Sequence, residues 1–449
     1  MSRAAGWSPA HNLPWLYVVR ALRSLSTACL TVVFPLYLAK EGMGAASIGL
    51  IVSLSGLVSV ALVLGVGFFA DRFGRRRTLL GLSVLSAAGG FLLAWAPLGI
   101  LIAVVASGLG GVGRGGGAGS GGNYGPVIPA EQPLLAAAAS DRDRTRVFGI
   151  VSFVGVLAGA AGSLLAGAPG ILGGHSLSLV AGYRLLFAAS GVVGVAMLLA
   201  TLPVREVVPA ALTDGAAAPS QAAVPFRELI GKLAVTNGLN GLGIGFLGPV
   251  LTYWFYRRFG VGAAEIGVLY AVINLASAMP YLGSASLARR LGAVRTVVIT
   301  RLTGVAALLA MPFLPSFFLV GLAYALRICL NSLGMPARQS FTMAVSDERY
   351  RGRVAALGSL PSQVTSLVTP AVAGAVMDSW LSFPLFGAAV FIAANAVSYH
   401  FAFHRVRVPG EAPATPSEHE VSGAAADALA DAAAVDDRRM AGGPAGDGG

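Results

Sequence analysis

A chain of 449 residues in which 55% are hydrophobic and only 11% charged has too little charge to clothe a water-facing surface, because soluble domains carry about 25%. The mean hydropathy of +0.75 argues against an ordinary soluble enzyme and for a chain embedded in a membrane. The net charge of +11 does not indicate a nucleic-acid partner: the arginines cluster between apolar runs, as membrane-flanking charges do, and leave no basic face.

A membrane span needs about 20 mostly apolar residues. Taken in chain order, the runs predict twelve spans, near 14–38, 47–69, 78–96, 98–121, 147–168, 183–202, 232–254, 264–287, 296–314, 316–343, 354–377 and 383–403. The segment ahead of the first, "MSRAAGWSPAHNLPW", lacks the charged, apolar and cleavage regions of a signal peptide, so the first run is expected to stay as a span. Cys29 and Cys329 fall inside apolar runs and read as small packing residues. The predicted organisation is a six-helix half over 1–203, a Pro- and Ala-rich cytoplasmic linker over 204–231, a second half over 232–404, and a disordered cytoplasmic tail over 405–449. An even span count places both termini on one side. Loops on that side carry the arginine clusters at 72–77, 142–146, 289–295 and 349–353, whereas the opposite loops carry Lys40, Arg184, Arg257 and Arg258. Both termini are therefore expected in the cytoplasm, and the chain in a cytoplasmic (inner) membrane as a multi-pass protein.

The chain also repeats itself. "GMGAASIGLIVSLSGLVSVALVLGVGFFADRFGRRRT" from Gly42 aligns without a gap on "GVGAAEIGVLYAVINLASAMPYLGSASLARRLGAVRT" from Gly260. The identities include the loop pairs Gly74/Gly292 and Arg77/Arg295, which shared hydrophobicity alone does not explain. "PAEQPLLAAAASDRDRTRVF" from Pro129 likewise resembles "PARQSFTMAVSDERYRGRVA" from Pro336. Two six-span halves in the same orientation follow.

The stretch "GFFADRFGRRRT" resembles the signature of the major facilitator superfamily between its second and third helices, Gly-x-Leu-Ala-Asp-Arg-x-Gly-Arg-Arg. Gly67, Ala70, Asp71, Arg72, Gly74, Arg75 and Arg76 match, and Phe69 replaces the leucine. The resemblance covers roughly residues 10–405 and implies an all-α membrane fold of twelve helices in two pseudo-symmetric halves. Gly67 removes a side chain where helices approach closely and Gly74 permits the tight turn, while the arginines hold the loop in the cytoplasm. Asp71 is not needed for topology. In the resembled family this aspartate locks the halves together against the start of the eleventh helix, at a helix N-terminus that favours a carboxylate; local pairing with Arg72 or Arg75 is the alternative. Arg289 holds the equivalent place in the second half, which breaks the symmetry of such a lock. Two drug–proton antiporter signatures are only partial: Arg114 is kept, but Gly117 and Ala118 stand where that signature has Gln and Gly, and the fifth helix lacks its proline. What the fifth helix keeps is a stripe of small residues, Gly155, Gly159, Ser163 and Gly167.

In that fold the first, fourth, seventh and tenth helices line a central cavity. Ionisable residues at membrane depth are costly and point to function. Arg23, Arg114 and Arg327 are the candidate substrate contacts of this kind. Arg20, nearer the cytoplasmic end, is expected to snorkel. "GRGGGAGSGGNYGPVIPAEQ" (Gly113–Gln132) is a poor helix and lacks the Gly-Lys-Ser/Thr ending of a phosphate loop; it adds Asn123 and Tyr124. Asn237 and Asn240 share one face of the seventh span and Arg327 and Asn331 one face of the tenth, either as ligand contacts or as bridges between helices. Glu131 is the nearest approach to an acidic residue at depth, which favours an anionic or neutral substrate over a cation. His400 and His404 read as surface residues.

These features predict a secondary transporter working by alternating access, with no enzymatic chemistry, cofactor or resident metal. An exporter of small organic or drug-like compounds leads; an importer of an organic anion and a non-transporting sensor or scaffold are the alternatives. The expected partners are a small-molecule substrate and the lipid bilayer, with a proton as candidate coupling ion, no nucleic acid, and a monomeric assembly.

Overall fold

The computed structural model describes residues 9–97, 99–111, 126–138, 144–172, 178–206, 225–345, 351–404 and 406. These form helices and connecting turns. The first half comprises α1 (Leu13–Lys40), α2 (Ala45–Phe73), α3 (Arg75–Trp95), α4 (Ile100–Leu109), α5 (Ile128–Ala138), α6 (Arg144–Leu165), α7 (Ala168–Leu172) and α8 (Leu179–Thr201). The second comprises α9 (Phe226–Gly245), α10 (Gly248–Phe259), α11 (Ala263–Leu291), α12 (Ala293–Ala310), α13 (Phe317–Ala344), α14 (Arg351–Thr365), α15 (Thr369–Met377) and α16 (Phe383–Phe403).

Among the described residues, 10 segments are long and apolar enough to cross a membrane. Of the fourth expected span, 98–121, the described residues show α4; α5 follows after residues 112–125, which lie outside the described residues. The seventh breaks at Phe246 and Leu247, between α9 and α10, ahead of Pro249. It begins at Phe226, earlier than the expected 232. The eleventh crossing also breaks, between α14 and α15, ahead of Pro370. Proline lacks an N–H and clashes with the preceding turn, so a helix broken ahead of it is the local consequence of the sequence.

The internal repeat survives in backbone conformation. Gly42 and Gly260, paired in the alignment, have φ of 85° and 67°, and the paired Gly74 and Gly292 have φ of 94° and 79°. Side chains other than glycine rarely adopt these values. The two halves thus turn their corners in the same way.

Apolar side chains such as Leu101, Met279 and Phe318 are 74%, 74% and 77% exposed, the pattern of a surface solvated by lipid. Glycines let the helices approach to backbone contact. Within halves, a Cβ on Gly162 of α6 would lie 2.0 Å from the Leu25 carbonyl oxygen of α1, and one on Gly90 of α3 would lie 2.4 Å from the Gly191 nitrogen of α8. Among the described residues, the close contacts between halves lie toward the end that carries the 41–44 and 260–262 turns. There a Cβ on Gly49 of α2 would meet the Pro370 carbonyl oxygen at 2.2 Å and the Gly374 Cα at 3.0 Å. On the other flank, Cβ atoms on Gly167 and Gly267 would meet the Ala264 Cα at 2.8 Å and the Ser163 carbonyl oxygen at 2.3 Å. Gly159 and Ser163 of the small-residue stripe, with Gly167 just beyond α6, therefore face α11.

Candidate functional site

The polar residues of α1 recur at helical spacing, with Arg20, Arg23, Thr27 and Thr31 on one stripe. At one end of it, Glu131 of α5 accepts both guanidinium groups on a single oxygen: Arg20 Nη1 donates to Oε2 at 3.3 Å and Arg23 Nη2 at 2.9 Å. All three side chains are buried, and Glu131 is wholly so. Arg20 therefore does not snorkel. A carboxylate within reach on α5 replaces water as the partner of its charge, and ion pairing in the interior overrides the pull of the interface. The other carboxylate oxygen of Glu131, Oε1, is buried with no hydrogen-bond donor among the described residues.

At the other end of the stripe, the Thr252 hydroxyl of α10 reaches the Thr31 carbonyl at 3.5 Å and lies 3.1 Å from the Tyr270 hydroxyl of α11. Tyr270 packs against Tyr324 of α13, with ring centroids 6.3 Å apart. The guanidinium of Arg327, one turn along α13, lies over the Tyr324 ring at 5.8 Å. Arg327 is half-buried, and among the described residues it has no carboxylate partner. Asn331, the next turn along, is also half-buried. A chain of contacts thus runs from Thr31 through Thr252, Tyr270 and Tyr324 to Arg327, whose Cγ lies beside Gly304 of α12.

A separate network lies inside the second half. Arg301 of α12 donates to the Asn240 side-chain oxygen at 2.7 Å and to that of Asn395 on α16, whose amide donates to the Thr236 carbonyl. Asn237 donates to the Gly358 carbonyl of α14 at 2.6 Å. Asn237 and Asn240 accordingly tie α9 to its neighbours in the structure. Arg301 escaped the sequence reading. Its signal was available, since an arginine in the apolar run 296–314 is as costly as those that were singled out.

Of the remaining candidates, Arg114, Asn123 and Tyr124 lie outside the described residues. So do the immediate surroundings of Gly67 and the side chain of Asp71, although both positions belong to α2. The loop they lead into has a partner that the sequence did not suggest. The Arg75 and Arg76 backbone N–H groups, at the start of α3, donate to the two carboxylate oxygens of Glu206 at 2.8 Å each. The Arg76 side chain donates to the Leu202 carbonyl at 2.7 Å. Arg72 lies over the Phe73 ring at 5.7 Å. Asn12 and Arg205 exchange two further bonds, at 2.9 and 3.0 Å. The start of the expected linker is thereby pinned to the first half. A carboxylate at a helix N-terminus satisfies donors that the helix leaves open and meets the positive end of its dipole.

The family model for the Major Facilitator Superfamily matches residues 16–237 and again 233–434, one match to each half of the repeat. The chain belongs to the Major Facilitator Superfamily. Solved structures agree on the fold. A bacterial homologue of the human lysosomal transporter Spinster, in an inward-facing and unoccupied conformation, superposes with a TM-score of 0.70 at 15% identity, covering 90% of this chain and 99% of the other. The nucleoside transporter NupG, as a D323A mutant, gives 0.68 at 12% identity over 87% and 100% of the two chains. The xylose transporter XylE from E. coli, in an inward open conformation, gives 0.66 at 13% identity over 89% and 96%. A comparison with curated proteins found no match. At such identities the likeness to solved structures establishes the fold. Membership of this superfamily, together with the apolar spans, makes the chain a multi-pass membrane protein of a transporter family.

Proposed function

We propose that this superfamily member is a secondary transporter that exports small organic or drug-like compounds of anionic or neutral character across the cytoplasmic membrane, with both termini in the cytoplasm. The observation that carries the substrate class is Arg327. A half-buried guanidinium over an aromatic ring, with no carboxylate partner among the described residues, suits a ligand anion, for which the planar fork offers paired donors. The positive-inside distribution supports the orientation. With that orientation, the contacts between halves lie at the external end, so the cavity opens to the cytoplasm. Solved structures of the same fold include an inward-facing Spinster homologue and an inward open xylose transporter, which supports this reading. Arg114 is a second arginine toward the ligand in this reading, and Asp71 is a latch that closes the cytoplasmic end when the halves rock the other way.

The test is a ligand-stabilisation screen of the purified protein with organic acids and neutral compounds. A ligand at 100 times its dissociation constant stabilises by about 2.7 kcal/mol. Arg327→Lys keeps the charge and loses the fork, so an acid found in the screen should bind about tenfold more weakly. Unchanged affinity in a well-folded Arg327→Lys variant would remove Arg327 from the ligand site.

A further inference from the structure

The cluster of Arg20, Arg23 and Glu131 is not required by the architecture, as the repeat shows. Extending the alignment of Gly42 on Gly260 back along α1 without a gap places Arg20 against Gly238 and Arg23 against Gly241. The alignment of Pro129 on Pro336 places Glu131 against Arg338. The second half therefore builds the same crossing with glycines and no carboxylate. There α9 lies so close to α14 that a Cβ on Gly241 would be 2.2 Å from the Ser362 carbonyl oxygen. In the first half α1 is already packed against α6 through Leu25 and Gly162, so the ion cluster is an addition to a helix that is held without it.

Its geometry is that of an occupied anion site. Two arginines one turn apart converge on one carboxylate oxygen, at 3.3 and 2.9 Å, in a place from which water is excluded. The three side chains together retain one positive charge. Among the described residues the carboxylate is only half satisfied, because Glu131 Oε1 is buried with no donor there, and a buried acceptor left bare weakens the hold of the group that carries it. Both arginines face the same way along the stripe that leads to Thr31 and the meeting of the halves.

We propose that Glu131 is an internal stand-in for a small carboxylate ligand, and that Arg20 and Arg23 form a second anion position, cytoplasmic of Arg327, which a ligand carboxylate takes by displacing Glu131. The occupant seen is itself a carboxylate, which fixes the ligand class by shape and charge. The exchange is of one carboxylate for another at the arginines, and it requires the displaced Glu131 carboxylate to move out to cytoplasmic water, because left in place it would be a buried unpaired charge. Displacement releases α5 from α1 and couples ligand arrival to the fourth crossing. This extends the anion reading of Arg327 and rests on it for direction of travel, but it makes its own prediction.

A tethered competitor acts at a high effective concentration, so its removal should tighten binding. The experiment is equilibrium binding of radiolabelled benzoate to the purified full-length protein at constant ionic strength, with benzamide as the uncharged control. Glu131→Gln should bind benzoate at least about tenfold more tightly than the parent, and adding Arg23→Gln should abolish the gain. Glu131→Asp, which keeps the charge on a shorter arm, should give a smaller gain and serves if the amide variant does not fold. If the Glu131 variants bind benzoate no more tightly than the parent, or do not bind it, the cluster is a clamp between α1 and α5 and the proposal is overturned. Tightening by Glu131→Gln together with an unchanged Arg327→Lys would uphold the cluster and overturn the Arg327 site. Weakening by Arg327→Lys with no effect at Glu131 would do the reverse.

Discussion

On the proposed transport cycle, adding one methyl group at Gly49 should shift the balance between the two access states. A Cβ there would lie 2.2 Å from the Pro370 carbonyl oxygen and 3.0 Å from the Gly374 Cα, and both are backbone atoms that cannot rotate away. Reaching ordinary contact requires the two halves to part by roughly 1 Å at this point. Overpacking of this size costs about 1–3 kcal/mol. The cost falls only on the state in which α2 and α15 are pressed together, because that contact joins the two halves. Each 1.4 kcal/mol is about a factor of ten, so Gly49→Ala should move the population toward the externally open state by about five- to a hundredfold. Gly241→Ala is the control. Its Cβ would meet the Ser362 carbonyl oxygen at the same 2.2 Å, but both helices belong to the second half and stay together in either state. It should lower thermal stability without moving the equilibrium. The assay is labelling of single cysteines placed in the external and cytoplasmic vestibules, in both variants and the parent. Equal accessibility in Gly49→Ala and the parent, with both folded, would refute the claim that the external end is closed by backbone contact between halves.

Three further outcomes are expected. Glu206→Ala should lower thermal stability by about 0.5–1 kcal/mol through loss of the cap on α3, and an unchanged melting temperature in detergent would show that the cap contributes nothing. Arg301→Ala should be far more damaging, by about 3 kcal/mol or more, because Asn240 and Asn395 lose their shared donor in a buried place. Fluorescence-detected chromatography of the variant would measure that loss, and a normal monodisperse yield would contradict it. Reporters fused near Ala217 and after Val408 should read cytoplasmic and one at Gly174 external. An external reading at Ala217 would rule out six spans in the first half.

The fold was legible because its signals are redundant. Apolar runs, arginine asymmetry and the repeat each pointed to two halves, and the paired glycines Gly42/Gly260 and Gly74/Gly292 marked the same turns that the structure makes. The site was less legible, for a physical reason. Whether an arginine snorkels or pairs depends on what another helix brings near it, and Arg20 and Glu131 are 111 residues apart. Helical spacing on α1 puts Arg20 and Arg23 on one stripe, yet nothing local shows that α5 returns Glu131 to it. Glu206 was missed for a similar reason. It lies in a stretch whose composition reads as linker, and only the chain's return past the start of α3 makes it a cap.

The distribution of strong and weak contacts bears on mechanism. Each ion pair described above lies within one half, as do the charge-assisted bonds of Arg301. Between halves, among the described residues, the structure places glycine backbone contacts, a 2.8 Å bond from the Ala371 N–H to the Ser53 hydroxyl, the long Thr252–Thr31 bond of 3.5 Å, and the Lys40 ammonium over the Tyr256 ring at 5.4 Å. A transporter that rocks must break its contacts between halves in every cycle, and its two states have to lie within a few kcal/mol of each other. A buried ion pair across the seam would cost about 3–5 kcal/mol to sever by leaving a charge unpaired, whereas a neutral hydrogen bond contributes only about 1 kcal/mol net. The strong interactions make each half rigid, and the weak ones leave the seam free to open. Under the proposed function, an arginine with no carboxylate partner among the described residues, held over the Tyr324 ring, is a group to which the cargo can bring the negative charge. On that proposal, occlusion depends on the ligand at Arg327.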